Sequence, residues 1–258
     1  MSARNWTNET NKSTNFKDVT MSFRKEKFMS LAGITAVEHP IEELKSISRG
    51  LLNDGIHGIC FSAYDEGQQP GDQLTEAQVR RKLSILKPHI SWVRTFSCTE
   101  GNEFIAQIAH EMGIKTLAGA WLGDDLEKNE VEIAGLIALC KQGAVDVAAV
   151  GNEVLYREDL EANALVKYIE RVKAEVSGVP VGYVDAYYEF TDHPEVSDAC
   201  DIILANCYPY WEGCALDYSL MYMKQMYMEA KIAGKGKPVL ITETGWPSSG
   251  QSIGGAHA

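Results

Sequence analysis

Two glutamates stand where an apolar run gives out. Glu153 closes AAVGNE (148–153) and Glu243 closes LITE (240–243), ninety residues further along (243 − 153 = 90). A carboxyl group in such a place can cap the next helix, pair with a neighbouring arginine, or face a cleft. For one glutamate alone the first two readings are the simpler ones. For two, with Asn152 before the first and Trp246 just after the second, the cleft is favoured. Two carboxyl groups facing one opening suit cleavage of a glycosidic bond: one protonates the departing oxygen while the other attacks the anomeric carbon or activates water.

The elements that must deliver these side chains are regular from residue 56 onward. Short β-rich segments lie at 56–62, 91–97, 114–122, 145–153, 179–186, 200–208 and 238–243, and stretches of helical periodicity separate them. NEFIAQIAHEMG places Phe104, Ile105, Ile108, Ala109 and Met112 on one face and ends in Gly, a helix with its stop signal. Strands apolar almost throughout are buried on both faces, which means a parallel sheet. Seven of them alternating with helices leave two architectures, an open doubly wound sheet and a (β/α)8 barrel. The open sheet usually carries a Gly-rich phosphate loop. No GxGxxG occurs, and AGKGKP (233–238) lacks P-loop spacing. Instead, polar and aromatic residues gather at the C-terminal ends of the strands: Tyr64, Arg94, Trp121, Asn152, Glu153, Tyr187, Tyr208, Tyr210 and Glu243. Barrel enzymes place their active sites there, so the barrel is the expected fold.

Composition narrows the chemistry. With 45% hydrophobic and 23% charged residues among 258, the chain reads as an ordinary globular protein. Its net charge of −12 would repel nucleic acid and favours a neutral or cationic substrate. The best apolar run, IAGLIALC, falls far short of the ~18 residues of a membrane helix, so no membrane partner is expected. The six cysteines form no CxxC pair and are expected as free thiols, which points to a reducing compartment. No metal and no cofactor is expected, and the chain is expected to be a monomer. Residues 1–26 read as a mobile polar leader without signal-peptide character, and 27–258 as a single barrel domain. Tyr64, Trp121, Tyr187, Tyr188, Tyr210, Trp211 and Trp246 fall at or just after strand ends, where aromatic rings can stack on the apolar faces of sugars. MYMKQMYME (221–229) reads as the inner face of a barrel helix.

VGNE (150–153), ETGWPSSG (243–250) and NCYPYWEG (206–213), supported by RTFS (94–97) and CFSAYDEGQ (60–68), resemble glycoside hydrolase family 17, the retaining β-1,3-glucanases and glucanosyltransferases. The resemblance covers roughly residues 50 to 250. It implies a TIM-type barrel, Glu153 as acid/base, Glu243 as nucleophile, and a β-1,3-glucan or related oligosaccharide as substrate. Arg94 would then hold Glu243 ionised by proximity, and Tyr208 would donate a hydrogen bond to the same carboxylate. The charge of Glu243 would raise the affinity of Glu153 for its proton, and Asn152 would bind the sugar 2-hydroxyl. Trp246, Trp121, Tyr64, Tyr210 and Trp211 would line the sugar site. A retaining mechanism predicts carboxyl groups about 5 Å apart. Whether water or a sugar hydroxyl resolves the covalent intermediate stays open. So does location, cytoplasmic by default but extracytoplasmic by the resemblance.

One expectation conflicts with the family pattern. The sequence runs only fifteen residues past Glu243 (258 − 243 = 15), too few for the eighth βα unit. The barrel is therefore expected to lack its last unit, as in a piece of a longer protein, which would leave a truncated, non-catalytic glucan-binding barrel as the alternative. Otherwise KFMSLAGITAV (27–37) and HPIEELKSISRGLL (39–52) would supply a permuted eighth unit.

Overall fold

The computed structural model describes residues 39–258; the leader and the strand expected over 27–37 lie outside that range. The described strands are β1 (Ile56–Cys60), β2 (Ile90–Arg94), β3 (Lys115–Ala120), β4 (Val147–Asn152), β5 (Val181–Ala186), β6 (Ile202–Asn206) and β7 (Val239–Glu243). The helices are α1 (Ile41–Asp54), α2 (Glu76–Leu86), α3 (Glu103–Glu111), α4 (Leu126–Lys141), α5 (Ala162–Glu175), α6 (Glu189–Asp192), α7 (Pro194–Ala199) and α8 (Leu216–Ala233). Among the described residues, seven strands pair in sequence order and all in parallel, giving a nearly closed TIM-type barrel with seven of the eight βα units. Among the described residues β1 pairs only with β2 and β7 only with β6. The Cys60 thiol donates to the Thr242 carbonyl at 3.1 Å and so ties the end of β1 to β7.

The chain divides into two compact units. One is the barrel, with described residues 39–207 and 223–244; the other gathers 208–222 and 245–258. In the second, Tyr210 packs edge-on against both Trp211 and Trp246, its hydroxyl donates to the Gln251 carbonyl, and the Trp246 indole donates to the His257 carbonyl at 2.7 Å. The helix α8 begins in this unit and ends in the barrel, burying Tyr222, Met226 and Ala230 at one-turn spacing.

Within the barrel, Leu117, Val147, Ala149, Val184 and Leu204 of β3 to β6 form one buried cluster, with Trp92, Ile202 and Leu240 packed on it. These positions define the inward face of the strands. A second cluster packs Val79 and Leu83 of α2, and Ile105, Ile108 and Ala109 of α3, against Ile90 and Val93 of β2. The helices start where their caps allow. Thr75 Oγ1 accepts from Gln78 N, and Asp125 Oδ1 accepts from Glu127 N and Lys128 N at 3.1 Å each.

One buried carboxyl fastens the strand-end loops. Glu132 of α4 has no exposed surface. It accepts from Ser97 Oγ (2.5 Å), Thr99 Oγ1 (2.6 Å), Cys98 N (2.8 Å) and Trp121 N (3.1 Å). The loops after β2 and β3 thus share a single anchor. Removing it leaves two backbone N–H groups without their acceptor, at a cost of order 1–3 kcal/mol for each. Glu132→Ala should therefore lower the free energy of unfolding by about 3 kcal/mol, read from urea denaturation. A loss below about 0.5 kcal/mol would mean that the two loops stand without this anchor.

Candidate active site

The site is assembled where β2, β4, β6 and β7 end. Trp92 packs on the interior cluster, and by two-residue alternation Arg94 shares its face. Leu204 places Asn206 inward in the same way. On β4 simple alternation fails, because Ala149 faces inward and Asn152 lies three residues on. The register shifts between Ala149 and Asn152, and Gly151 takes φ +90° there. A β-bulge re-aims Asn152 towards Arg94. A Cβ at Gly151 would come within 2.8 Å of the Val154 side chain, so the close turn needs glycine. On β7 a second shift, opposite Ala205 and Asn206, lets the consecutive residues Thr242 and Glu243 both reach neighbours inside the barrel. Each strand that delivers a glutamate, β4 to Glu153 and β7 to Glu243, thus carries an irregularity beside it.

The side chains form a closed circuit. The Arg94 guanidinium, 5% exposed, donates through Nη1 to Glu243 Oε1 and through Nη2 to Asn152 Oδ1 at 2.5 Å. Asn152 is joined by its peptide to Glu153. Glu153 Oε1 accepts from Asn206 Nδ2 at 2.8 Å, and Asn206 Oδ1 accepts from Thr242 Oγ1 at 2.8 Å. Thr242 is joined by its peptide to Glu243, which completes the ring. The Phe96 ring lies 4.4 Å from the centre of the guanidinium. Charge-assisted, two-armed contacts of this kind are among the stronger and more directional hydrogen bonds available to a side chain.

Glu153 itself has φ +51°, left-handed backbone that side-chain-bearing residues seldom adopt. Its N–H donates to Val184 O at 2.8 Å, and its carbonyl accepts from Arg157 N at 2.9 Å. Arg157 donates through Nη1 to Asn152 O, through Nη2 to Leu122 O at 2.9 Å, and through Nε to Asp159 at 2.8 Å. The guanidinium also stacks 4.6 Å over Trp121, leaving that indole 38% exposed. Behind the turn lie Tyr183 and Asp185 of β5, both with no exposed surface. Burial pushes the Asp185 carboxyl up to about 7, and the nearby charge of Glu189 adds to this. Hydrogen bonds from Tyr183 and from the backbone of Ala186 and Tyr156 offset part of that rise. Burial, then the charge of Asp185, push the Tyr183 phenol up as well.

Of the residues singled out from sequence, Arg94, Asn152, Glu153 and Glu243 come together in the circuit. Trp121 joins them through Arg157. Tyr64 ends apart from the circuit, its hydroxyl accepting from Asn102 Nδ2 at 3.3 Å. Tyr208, Tyr210, Trp211 and Trp246 belong to the second unit, where Trp211 is 65% exposed. Sequence reasoning missed Asn206, Thr242 and Arg157. Asn206 sat inside a quoted motif and, two residues beyond apolar Leu204, had a legible inward phase.

A parallel barrel with paired carboxyl groups at the ends of its fourth and seventh strands has the layout of a glycoside hydrolase. The BtgE/BtgC glycoside hydrolase domain matches residues 58–258, and the chain belongs to that family, within glycoside hydrolase family 17. A Candida albicans glucan 1,3-beta-glucosidase is 28% identical over 67% of this chain and 63% of its own length. The chain thus spans somewhat under two thirds of that relative. A Schizosaccharomyces pombe glucan 1,3-beta-glucosidase is 27% identical over 86% of this chain and 74% of its own. Among solved structures, an active-site mutant of Rhizomucor miehei beta-1,3-glucanosyltransferase in complex with laminaritriose superposes with a TM-score of 0.71. It is 30% identical, with 80% of this chain and 77% of that one covered.

Folded Asp185 keeps its proton up to about pH 7, whereas an unfolded aspartate releases it near pH 4. Raising pH through this window favours the unfolded chain, so the contribution of Asp185 to stability is lost as pH rises. In urea denaturation from about pH 4 to about pH 8, wild type should lose stability relative to Asp185→Asn, by on the order of a few kcal/mol. A constant difference across the range would mean that Asp185 titrates as an ordinary aspartate.

Proposed function

We propose that the chain is a retaining glycosidase acting on β-1,3-glucan, with Glu243 as nucleophile and Glu153 as acid/base. The observation that carries this reading is the circuit Glu243–Arg94–Asn152–Glu153–Asn206–Thr242, which fixes two carboxyl groups from different strands at one end of the barrel. An attacking Glu243 oxygen forms an ester bond to the anomeric carbon while Glu153 gives its proton to the departing glycosidic oxygen. Glu153, now a carboxylate, then takes a proton from the incoming hydroxyl as that oxygen displaces Glu243.

The surrounding residues fit these roles. Arg94 pairs with Glu243, offsetting the cost of burying a charged nucleophile. Asn206 occupies Glu153 Oε1 as donor, which leaves Oε2 to carry the transferable proton in this reading. Thr242 holds the Asn206 amide in the orientation this requires. In this reading Asn152 binds the sugar 2-hydroxyl. The exposed Trp121 indole of the barrel suits the apolar face of a sugar.

Transfer to a second sugar uses the same steps with a sugar hydroxyl in place of water. The likeness to a Rhizomucor miehei glucanosyltransferase favours keeping that outcome in view. Wild-type chain should release reducing sugar from laminarin. Glu153→Gln should lower the rate by about 10²–10⁴-fold, and Glu243→Gln by at least about 10³-fold. Products longer than the starting oligosaccharide, seen by mass spectrometry, would identify transfer. Wild-type turnover in Glu243→Gln would sink the nucleophile assignment, and azide rescue of Glu243→Gly with inverted product would secure it.

A further inference from the structure

The residues of β5 behind the acid/base turn are not explained by packing alone. Asp185 is a fully buried carboxyl whose hydrogen bonds come from one phenol and two backbone N–H groups: Tyr183 Oη, Ala186 N at 2.7 Å and Tyr156 N at 3.3 Å. Burying such a group is expensive, and an apolar residue would stabilise the fold more cheaply. Tyr183 in turn accepts from Leu155 N at 2.9 Å while donating to Asp185. Leu155 and Tyr156 lie in the turn between β4 and α5, and they follow Glu153 by two and three residues. Their N–H groups are held by β5 side chains.

Residues 183 and 185 share one face of β5, opposite to Val184, whose side chain packs in the barrel interior. The same three residues therefore grip the turn three times: Val184 O on Glu153 N, Tyr183 Oη on Leu155 N, and Asp185 Oδ2 on Tyr156 N. Arg157 adds a fourth hold through Asn152 O. A left-handed, non-glycine residue costs roughly 1–3 kcal/mol and persists only when its surroundings over-determine it. Here they do, and the residue so held is Glu153.

We propose that Tyr183 and Asp185 are positioning residues: they clasp the backbone after Glu153 so that its carboxyl is aimed at the departing oxygen. This rests on the glycosidase reading with Glu153 as acid/base. Neither residue touches substrate; their effect passes through the geometry of the turn. Loosening the clasp weakens proton delivery and leaves attack by Glu243 intact.

The test separates those two steps by leaving group. In the full chain, kcat/KM is measured on laminarin, whose departing sugar needs a proton, and on a 2,4-dinitrophenyl β-laminaribioside, whose phenolate leaves without one. Asp185→Asn and Tyr183→Phe should each lose about 10–100-fold on laminarin and change little on the aryl glycoside. Tyr183→Phe removes a single oxygen and keeps the test available should Asp185→Asn fold poorly. Glu153→Gln serves as the reference and should show the same selective pattern, more strongly. Equal losses on both substrates, or loss on neither, would overturn the clasp. Equal losses in Glu153→Gln would overturn the acid/base assignment instead, and a wild type inert on both substrates would overturn the glycosidase reading itself.

Discussion

The two arms of the Arg94 guanidinium set the geometry on which the rest of the site depends. One arm holds Glu243 on β7 and the other holds Asn152 on β4, so a single planar group fixes the distance across part of the barrel mouth. Lysine could not do this, since a point charge lacks the fork that meets two acceptors in fixed directions. The return path through Asn206 and Thr242 closes the ring. Displacing any member therefore strains its neighbours on both sides, and the two carboxyl groups behave as parts of one rigid frame.

That frame demands departures from regular strand geometry. A strand with strict alternation points every second side chain inward and cannot aim two consecutive residues into one cavity. Thr242 and Glu243 manage it through a register shift, and Asn152 reaches Arg94 through another with Gly151 as its pivot. The turn after the β4 irregularity is braced from outside the cavity by the β5 residues behind it, through Val184 O, Tyr183 Oη and Asp185 Oδ2. The barrel supplies a stiff wall, and buried polar side chains convert that stiffness into aim.

Much of the fold was legible because it is periodic. Continuous apolar runs marked all seven strands to within a few residues, and 3.6-residue stripes marked the long helices. The short helices Glu189–Asp192 and Pro194–Ala199 left no such mark, since a helix of one or two turns has too few positions to show a period. At the site, the glutamates were legible from their place at the ends of apolar runs, and Arg94 and Asn152 from theirs. Arg157, Thr242 and the Tyr183–Asp185 pair were not. Their importance lies in contacts with the backbone of other segments, or in a one-residue shift of register, and neither leaves a spacing in the sequence. Nor does a sequence show that the aromatics divide between two units, with Trp121 in one and Trp246 in the other.

The left-handed backbone at Glu153 has an evolutionary corollary. At that position folding and the proposed chemistry ask for different residues: the main chain is suited to glycine or asparagine, and the proposed acid/base role requires a carboxyl. Selection for stability alone would drift the codon away from glutamate, and selection on the proposed acid/base role would hold it there. If the proposed role of Glu153 holds, a lineage that gave up that chemistry while keeping the barrel should therefore lose this glutamate early, ahead of Arg94 or Asn206, which are bound into the wall on both sides.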